Sequence, residues 1–272
     1  MPTLASIIGL CLCIAAALGD TLQFNSTLGS HMVLQQSPAK AALNGTVQTS
    51  GGGVAATIEL TLSPSSGGAP VQTATATSTG GGLWQALLTP MQAGGNYSIT
   101  ANCTQGCAAN TTTTITDVTF GDVWYCSGQS NMALNLQFTF ARNASIAAIQ
   151  QGKYSNVRLQ QLQGNMNGNL AWTSLKAAVA ADKFLGFSAT CYYFGESLTD
   201  ELGEQAPPLG LVHTAWGGST IEQWLLNSTN NECAWNLADT SASEFHYSRV
   251  LPYVGMTIKG FLWYQVPYTH HK

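Results

Sequence analysis

Two serines with catalytic potential lie three residues apart in the stretch GDVWYCSGQSNM, residues 121–132. The apolar run before them predicts a buried strand, so Ser127 and Ser130 fall at or just after a strand end. A serine in such a turn can present its hydroxyl above a sheet, and its own N–H then points to where an oxyanion forms. The pattern is not the G-x-S-x-G elbow, because Met132 stands where the last glycine would be. Either serine is therefore a candidate nucleophile for acyl transfer, and an ordinary turn serine is the alternative.

Two other predicted strand ends carry groups that suit the same chemistry. Gly217 and Gly218 follow the apolar run at 209–216, and Gln265 follows the run at 258–264. Glycines let backbone approach a ligand closely, and backbone and amide N–H groups stabilise the oxyanion of a tetrahedral intermediate. We therefore expect Ser130, one of the two glycines and Gln265 to converge.

The composition and residue pattern of the first part of the chain, residues 20–117, are those of an all-β domain. Short runs that alternate or carry β-branched residues are separated by Gly- and Pro-rich turns. The predicted strands are 56–62, 71–79, 83–88, 97–100 and 111–116. This spacing predicts an N-terminal β-sandwich domain.

The second part, residues 118–272, alternates strands with helical stretches. The predicted strands are 119–126, 156–162, 209–216 and 258–264, with helical residues after 131 and over 187–203. This order predicts an α/β domain with a parallel sheet and helices on both faces. In such sheets, ligands bind beyond the carboxyl ends of the strands, which is where the candidate residues fall.

These motifs resemble the signature blocks of SGNH (GDSL-like) hydrolases, in the form carried by sialate O-acetylesterases. The similarity extends from about residue 22 to residue 265. Its segments, in order, are 32–45, 83–100, 121–132, 210–224 and 256–265. The resemblance implies a flavodoxin-like, SGNH-type sheet and a serine carbohydrate esterase. The substrate would be an O-acetylated sialoglycan or a small acetyl ester, hydrolysed through an acyl-enzyme without a cofactor.

The resemblance also implies roles for individual residues. Ser130 matches the nucleophile, and Ser127 matches the serine that supports the turn. Gly217 or Gly218 matches the oxyanion glycine, and Gln265 matches a second donor. The remaining candidates for the binding site are Gln129, Asn131, Glu222 and Trp224. For Trp224, core packing is the alternative.

The chain departs from the family after Gln265, where VPYTHHK replaces the expected Gly-Glu. The family's catalytic Asp and His lie in a later block, so we expect an incomplete catalytic domain with impaired activity. None of His31, His213, His246, His270 and His271 matches the catalytic position, and His213 is expected in the core. The alternatives are a catalytically dead form and a non-catalytic, secreted glycan-binding glycoprotein.

We also expect residues 258–264 to leave an apolar sheet edge that promotes aggregation and poor secretion.

The N-terminus and the sequons predict the secretory pathway, with a secreted or lysosomal product. Residues 1–19 read as a signal peptide, because the apolar run is too short to span a bilayer and small residues precede Asp20. Seven N-x-[ST] sequons predict N-glycosylation. They begin at Asn25, Asn44, Asn96, Asn102, Asn110, Asn143 and Asn227.

Beyond residue 19, five cysteines remain, which is an odd number. Cys103 and Cys107 are close enough in sequence for a disulfide between them to close a small loop.

Composition argues against several other functions. Charged residues make up 8% of the chain and the net charge is −4, so no basic patch is available for nucleic acid. We find no zinc motif, and no later apolar stretch is long enough for a membrane anchor. Oligomeric state does not follow from the sequence.

Overall fold

The computed structural model describes residues 22–109, 111–164, 168–232 and 243–265. The strands of its first half are β1 (Leu22–Phe24), β2 (Val33–Gln35), β3 (Ala42–Val47), β4 (Thr57–Pro64), β5 (Gln72–Thr77), β6 (Leu83–Leu87), β7 (Gly94–Gln105) and β8 (Thr112–Gly128). The second half contains α1 (Arg142–Gln150), β9 (Val157–Gly164), β10 (Gly168–Ser174), α2 (Leu175–Ala180), α3 (Ala189–Leu202), β11 (Leu209–His213), α4 (Asn227–Glu232) and β12 (Gly260–Tyr264). Short 3₁₀ or π turns lie between several of these elements.

The strands form a small sheet and a large one. The small sheet has the order β1-β3-β6 and is antiparallel. The large sheet runs β10-β9-β11-β8-β7-β4-β5, with β12 and β2 also paired to β8. Strands β9, β11, β8 and β12 are parallel, whereas β10 is antiparallel to β9. The observed sheet is therefore mixed. Its parallel part contains the four strands that were predicted to be parallel.

Strand β8 connects the two halves of the molecule. Its first residues, up to Asp117, alternate between exposed and covered side chains and pair antiparallel with β7. From Val118 onward almost every residue is buried, which is the pattern of a strand covered on both faces. Asp117 has a left-handed φ of 53° at this change. The predicted division between residues 117 and 118 thus falls within a single strand.

Side-chain contacts tie the N-terminal segment to the buried half of β8. The carboxylate of Asp122 accepts hydrogen bonds from Gln35 Nε2 (3.1 Å) and Gln36 Nε2 (2.9 Å). The amide oxygen of Gln35 accepts the N–H of Val123 at 3.0 Å. These contacts extend the β2–β8 ladder where strand β2 ends, so the first residues of the chain help to fix the strand that leads to Ser130.

The two faces of the parallel strands belong to different cores. Cys126, Leu159, Leu209 and Leu211 pack with residues of α1, α2 and α3. On the opposite face, Val123, Tyr125 and Val212 belong to a core shared with the N-terminal strands and with Tyr253. Helices α1, α2 and α3 thus lie on the first face, and the prediction of helices on both faces is not confirmed among the described residues. The reason is that β8 continues directly into the N-terminal strands, whose side chains belong to the core on that face.

Helix α3 is fixed at its start by a cap and by a disulfide. The hydroxyl of Ser188 accepts the N–H of Cys191 at 3.1 Å, and Gly203 follows the last turn with φ 55°. Cys191 is bonded to Cys126 near the end of β8. A second disulfide joins Cys103 and Cys107, as the spacing indicated. Cys233 lies outside the described residues.

Most predicted strands, and the helix at 187–203, were confirmed to within a few residues. The prediction missed β1, β2, β3, β10, α2 and α4. At α2, TSLKAAVA carries a cap serine followed by good helix formers. Ser174 Oγ accepts the N–H of Ala177 at 3.2 Å, so the start signal of α2 was present in the sequence.

Candidate active site

The turn after β8 places Ser130 at the surface. Gly128 has φ +116°, and a Cβ there would overlap the carbonyl oxygen of Tyr264, so glycine is required. The N–H of Gln129 donates to that same oxygen at 2.7 Å. Ser130 itself has φ 53° and begins a 3₁₀ turn that ends at Met132. Strand β12 thus holds the turn, and the Ser130 side chain is exposed.

The end of β11 is fastened to the same turn. The N–H of Thr214 donates to Cys126 O at 3.0 Å, and that of Trp216 donates to Gly128 O at 2.9 Å. These bonds continue the parallel β8–β11 ladder past the end of the strand. They place the Trp216–Gly217 backbone beside Ser130.

A cavity of about 390 Å³ opens beside Ser130. Its lining residues are Ser130, Ala133, Leu134, Asn135, Phe138, Trp216 and Gly217. Gly217 therefore lines the cavity with the candidate nucleophile, whereas Gly218, with φ +78°, does not, although both glycines are exposed. Sequence reasoning left these two glycines unresolved. It also missed Leu134, Phe138 and Trp216. For Leu134 and Phe138, the apolar letters of ALNLQFTF directly after the serine turn were a signal.

Gln265 lies at the end of β12 and contacts the Gly217–Ser219 loop. Its Nε2 donates to Ser219 O at 2.9 Å, while its buried Oε1 has no partner among the described residues. Ser219 Oγ donates to Trp216 O (2.8 Å) and accepts from Trp224 Nε1 (2.9 Å). Three predicted site residues, Gln265, Trp224 and Gly217, thus meet around Ser219.

The other candidates differ in accessibility. Ser127 is fully buried and accepts a hydrogen bond from Thr214 Oγ1 at 3.0 Å, so it braces the two strand ends. Gln129 is buried and Asn131 is exposed. Glu222 is half-buried, and its Oε2 has no partner within the described parts of the chain. Trp224 is buried against Phe245 and Trp263, at 5.2 Å from each ring.

None of the described histidines hydrogen-bonds to Ser130. His31 pairs with Asp117 at 2.7 Å, far from the site along β8, and the ring of His246 is nearly perpendicular to that of Tyr247. His213 is buried, as expected, and its Nδ1 lies 2.7 Å from Gln161 Oε1. Burial, and then the positive charge of Arg249, lower the pKa of His213 to about 3. His270 and His271 lie outside the described residues.

Arg249 is a buried residue behind the site that sequence reasoning missed. Its Nη1 donates to Thr214 O at 3.0 Å, and its guanidinium lies 4.4 Å from the Trp216 ring. Its own carbonyl accepts the hydroxyl of Tyr125 at 2.9 Å. Burial lowers the pKa of the guanidinium from its ordinary value. Arg249 thus supports the strand end that presents Gly217.

The predicted sequons differ in exposure. Asn96, Asn102, Asn143 and Asn227 are exposed, whereas Asn25 and Asn44 are half-buried and Asn110 lies outside the described residues. Asn25 Oδ1 accepts from the N–H and the hydroxyl of Thr27, at 3.0 and 3.1 Å. The exposed four are the better candidates for glycan attachment.

Two further observations concern other ligands and membranes. Within the described ranges, no group of three or more His, Cys, Asp and Glu side chains is arranged to hold a metal ion. The helices found in those ranges are too short or too polar to cross a bilayer.

Known proteins match this chain over most of its length. It is 32% identical to the sialate O-acetylesterase of Mus musculus over 230 residues, which covers 81% of this chain and 40% of that protein. It is 29% identical to the sialate O-acetylesterase of Homo sapiens over 267 residues, covering 91% of this chain and 49% of that protein. The chain therefore spans less than half the length of these two relatives.

A solved carbohydrate acetylesterase from Xanthomonas citri has a similar fold. The TM-score is 0.68 at 22% sequence identity, and the match covers 90% of this chain and 51% of that one. The family profile described as carbohydrate esterase, sialic acid-specific acetylesterase matches residues 120–266, which include Ser130, Gly217 and Gln265. The chain therefore belongs to the carbohydrate esterase family of sialic acid-specific acetylesterases.

Proposed function

We propose that this chain provides the nucleophile side of a serine esterase that removes O-acetyl groups from sialic acids or related glycans. The observation that carries the proposal is that Ser130 and Gly217 lie at adjoining strand ends and line the same cavity. The family to which the chain belongs gives this cavity its proposed chemistry. A hydroxyl and a backbone N–H on the same small cavity are what acyl transfer requires.

The proposed reaction begins with attack of Ser130 Oγ on the acetyl carbonyl carbon. The carbonyl π electrons move to oxygen, and the N–H groups of Gly217 and Ser130 stabilise the oxyanion. The Gln265 amide, which donates to Ser219 O, holds the loop that carries Gly217. Collapse breaks the ester bond and leaves an acetyl group on Ser130, and the departing oxygen takes up the proton that Ser130 lost and leaves as the sugar alcohol. Water then attacks that acetyl-enzyme, releases acetate and restores the hydroxyl. Each oxyanion donor contributes about 3–4 kcal/mol in related sites.

The proton of Ser130 Oγ must pass to a base, and among the described residues no side chain hydrogen-bonds to that hydroxyl. An unactivated serine is a weak nucleophile at neutral pH. Loss of a base from a catalytic triad costs on the order of 10⁶-fold in rate. This observation favours the second candidate function, a glycan-binding protein with little or no esterase activity.

Aryl acetate hydrolysis separates the two candidates. We expect purified chain to release the phenol faster than a Ser130→Ala variant, with covalent acetylation of Ser130 detectable by mass spectrometry. Ser127→Ala is the matched control, because Ser127 is buried and braces Thr214. Equal rates for the chain and for Ser130→Ala would reject Ser130 as the nucleophile. Binding of an acetylated glycan without turnover would support the glycan-binding alternative.

The proposal includes the cellular context and the finer fold assignment. Residues 1–19 would be a signal peptide, residues 20–117 a β-sandwich domain and residues 118–272 an SGNH-like esterase domain. The product would be a secreted or lysosomal glycoprotein. Exposed sequons and two disulfides support this assignment, because both suit the secretory pathway. Release of mass by an N-glycosidase from protein secreted by animal cells would test it.

A further inference from the structure

A second cavity lies where the loop between β4 and β5 meets the start of β7. Its volume of about 550 Å³ falls within the range of roughly 300–1,000 Å³ that holds whole small molecules. None of its lining residues is charged, and they are Pro64, Ser65, Ser66, Val71, Gly95, Asn96 and Tyr97. This Asn96 cavity shares no residue with the cavity beside Ser130, so the proposed esterase reaction does not account for it.

A β-bulge places Asn96 on the wall of this cavity. Between Gly94 and Tyr97, strand β7 has one residue more than the stretch of β8 with which it pairs. Such a bulge changes the direction of the side chains within it. Gly95 in the bulge has φ +78°, and a Cβ there would overlap the Tyr97 ring, so glycine is required. The bulge therefore fixes the backbone from which the exposed side chain of Asn96 projects.

The walls of the Asn96 cavity are held by hydrogen bonds and by packing. The N–H of Ser65 donates to Asn96 O at 2.9 Å, and that of Val71 donates to a carbonyl of β4 at 2.8 Å. The Tyr97 ring packs edge-on against the fully buried ring of Phe120, with 5.6 Å between the ring centroids. Val71 nonetheless keeps 48% of its surface exposed. A wall that is already ordered loses little further entropy when a ligand binds to it.

The chemistry of the lining suits an N-acetylhexosamine ring. The apolar surfaces of Pro64, Val71 and Tyr97 match the C–H face and the acetamide methyl group of such a sugar. The hydroxyls of Ser65 and Ser66 can donate to its oxygens or accept from its hydroxyls. An uncharged sugar also loses no ionic hydration in a cavity that contains no charged residue.

Asn96 begins the sequon Asn96-Tyr97-Ser98, which is an acceptor for N-glycosylation. In this modification the Asn96 Nδ2 atom forms a bond to C1 of N-acetylglucosamine and loses a proton, while the diphosphate of the lipid-linked sugar donor leaves from C1. The first sugar is then covalently fixed at the cavity wall. Attachment through a short linker gives an effective concentration in the millimolar range, so weak contacts are sufficient to hold the sugar there.

We propose that Asn96 carries an N-glycan whose first N-acetylglucosamine packs into the Asn96 cavity and stabilises the folded chain. The proposal rests on the secretory context proposed above and not on the esterase reaction. The other exposed sequon residues, Asn102, Asn143 and Asn227, line neither this cavity nor the one beside Ser130. We therefore expect their glycans to extend into solvent and to add little stability.

Unfolding measurements test the stabilising contact. The chain is produced in animal cells that make only high-mannose glycans, and an endoglycosidase then trims each glycan to a single N-acetylglucosamine. We expect Asn96→Gln to lower the folding equilibrium constant of this trimmed protein about fivefold. Asn143→Gln is the matched control and should leave the constant unchanged, because Asn143 is exposed on α1 away from both cavities. An equal effect of the two changes would overturn the proposal.

A double-mutant cycle separates the sugar contact from the asparagine side chain itself. Val71→Ser removes an apolar wall of the cavity, so the fivefold effect of Asn96→Gln should largely disappear in that background. Val54→Ser is the matched control and should preserve the effect, because Val54 is 41% exposed and does not line the cavity. Persistence of the full effect in the Val71→Ser chain would show that the stabilisation does not come from packing in the cavity.

Glycopeptide mass spectrometry of the same samples distinguishes failure of this proposal from failure of the secretory assignment. We expect most molecules to carry a glycan on Asn96. Glycans on Asn143 but none on Asn96 would reject the proposal and retain the secretory context. Absence of glycans from every sequon would reject the secretory context and the proposal together. The aryl acetate test of Ser130 is independent of both results.

Discussion

At the scale of single residues, Ser130 combines a left-handed backbone with an exposed side chain. A left-handed conformation at a residue with a side chain costs about 1–3 kcal/mol and persists only where surrounding structure enforces it. Ser130 has φ 53°, and the turn is enforced by the bond from Gln129 N–H to Tyr264 O at 2.7 Å. Ser127, three residues earlier, is an ordinary buried strand residue. The strained serine is therefore the exposed one, which agrees with its proposed role.

Also at the scale of single residues, His213 makes the free energy of unfolding depend on pH. Its folded pKa of about 3 lies below the value near 6.5 of an unfolded histidine. Between these values the unfolded chain binds a proton that the folded chain excludes. This contribution to stability is fully present above about pH 6.5 and is lost as pH falls toward about 3.

We predict that wild-type chain loses up to about 1.4 kcal/mol of stability per pH unit through His213 between about pH 6 and pH 4.5. His213→Gln removes the titrating group, so its unfolding free energy should fall less steeply over the same range. Urea unfolding at several pH values measures both slopes. Parallel curves for the two proteins would show that protons bind on unfolding at other sites.

At the scale of elements, β8 and α3 are joined covalently next to the proposed site. Cys126 precedes Ser127 on β8, Cys191 lies in the first turn of α3, and 65 positions separate them along the chain. The bond constrains the unfolded chain over the loop that also carries Phe138. A loop of this length corresponds to about 4 kcal/mol in the chain-entropy model.

We predict that replacing both Cys126 and Cys191 with alanine lowers the free energy of unfolding by about 4 kcal/mol. The paired control is Cys103→Ala with Cys107→Ala, because that bond closes a loop of only four positions and should cost about 2 kcal/mol. Guanidinium unfolding of the oxidised proteins compares them. A larger loss from the short loop would contradict the entropic explanation.

At the scale of the whole molecule, β12 is an apolar edge strand of the large sheet. Among the described strands it pairs with β8 alone. Phe261, Trp263 and Tyr264 on this strand are exposed, Phe261 to 67% of its surface. Exposed apolar edge strands favour pairing between molecules. This agrees with the apolar edge expected from the sequence of residues 258–264.

We predict that the chain self-associates through β12 as its concentration rises. Phe261→Lys places a charge on the edge and should reduce the association measured by light scattering. Val54→Lys adds the same charge at an exposed apolar residue in a turn remote from β12 in sequence, and should leave association unchanged. The same scattering from all three proteins would place the contact elsewhere.

Much of the architecture was predictable because strand formation depends on local pattern. Runs that alternate or carry β-branched residues located β4, β5 and β6, and a buried apolar run located the second half of β8. Turn residues after three apolar runs located the strand ends where Ser130, Gly217 and Gln265 lie. These features follow from the two-residue period of a strand and from the backbone freedom of glycine, which are properties of neighbouring residues.

The tertiary structure decided which of these residues face one another. Register between β8, β11 and β12 placed Ser127 in the interior and Ser130 at the surface, and it separated Gly217 from Gly218. The continuity of β8 decided that N-terminal strands, together with the short helical turn that carries Tyr253, cover one face. Contacts such as Arg249 with Trp216 or Cys126 with Cys191 join residues distant in sequence. Local sequence could not predict them, because packing and register are set by the whole chain.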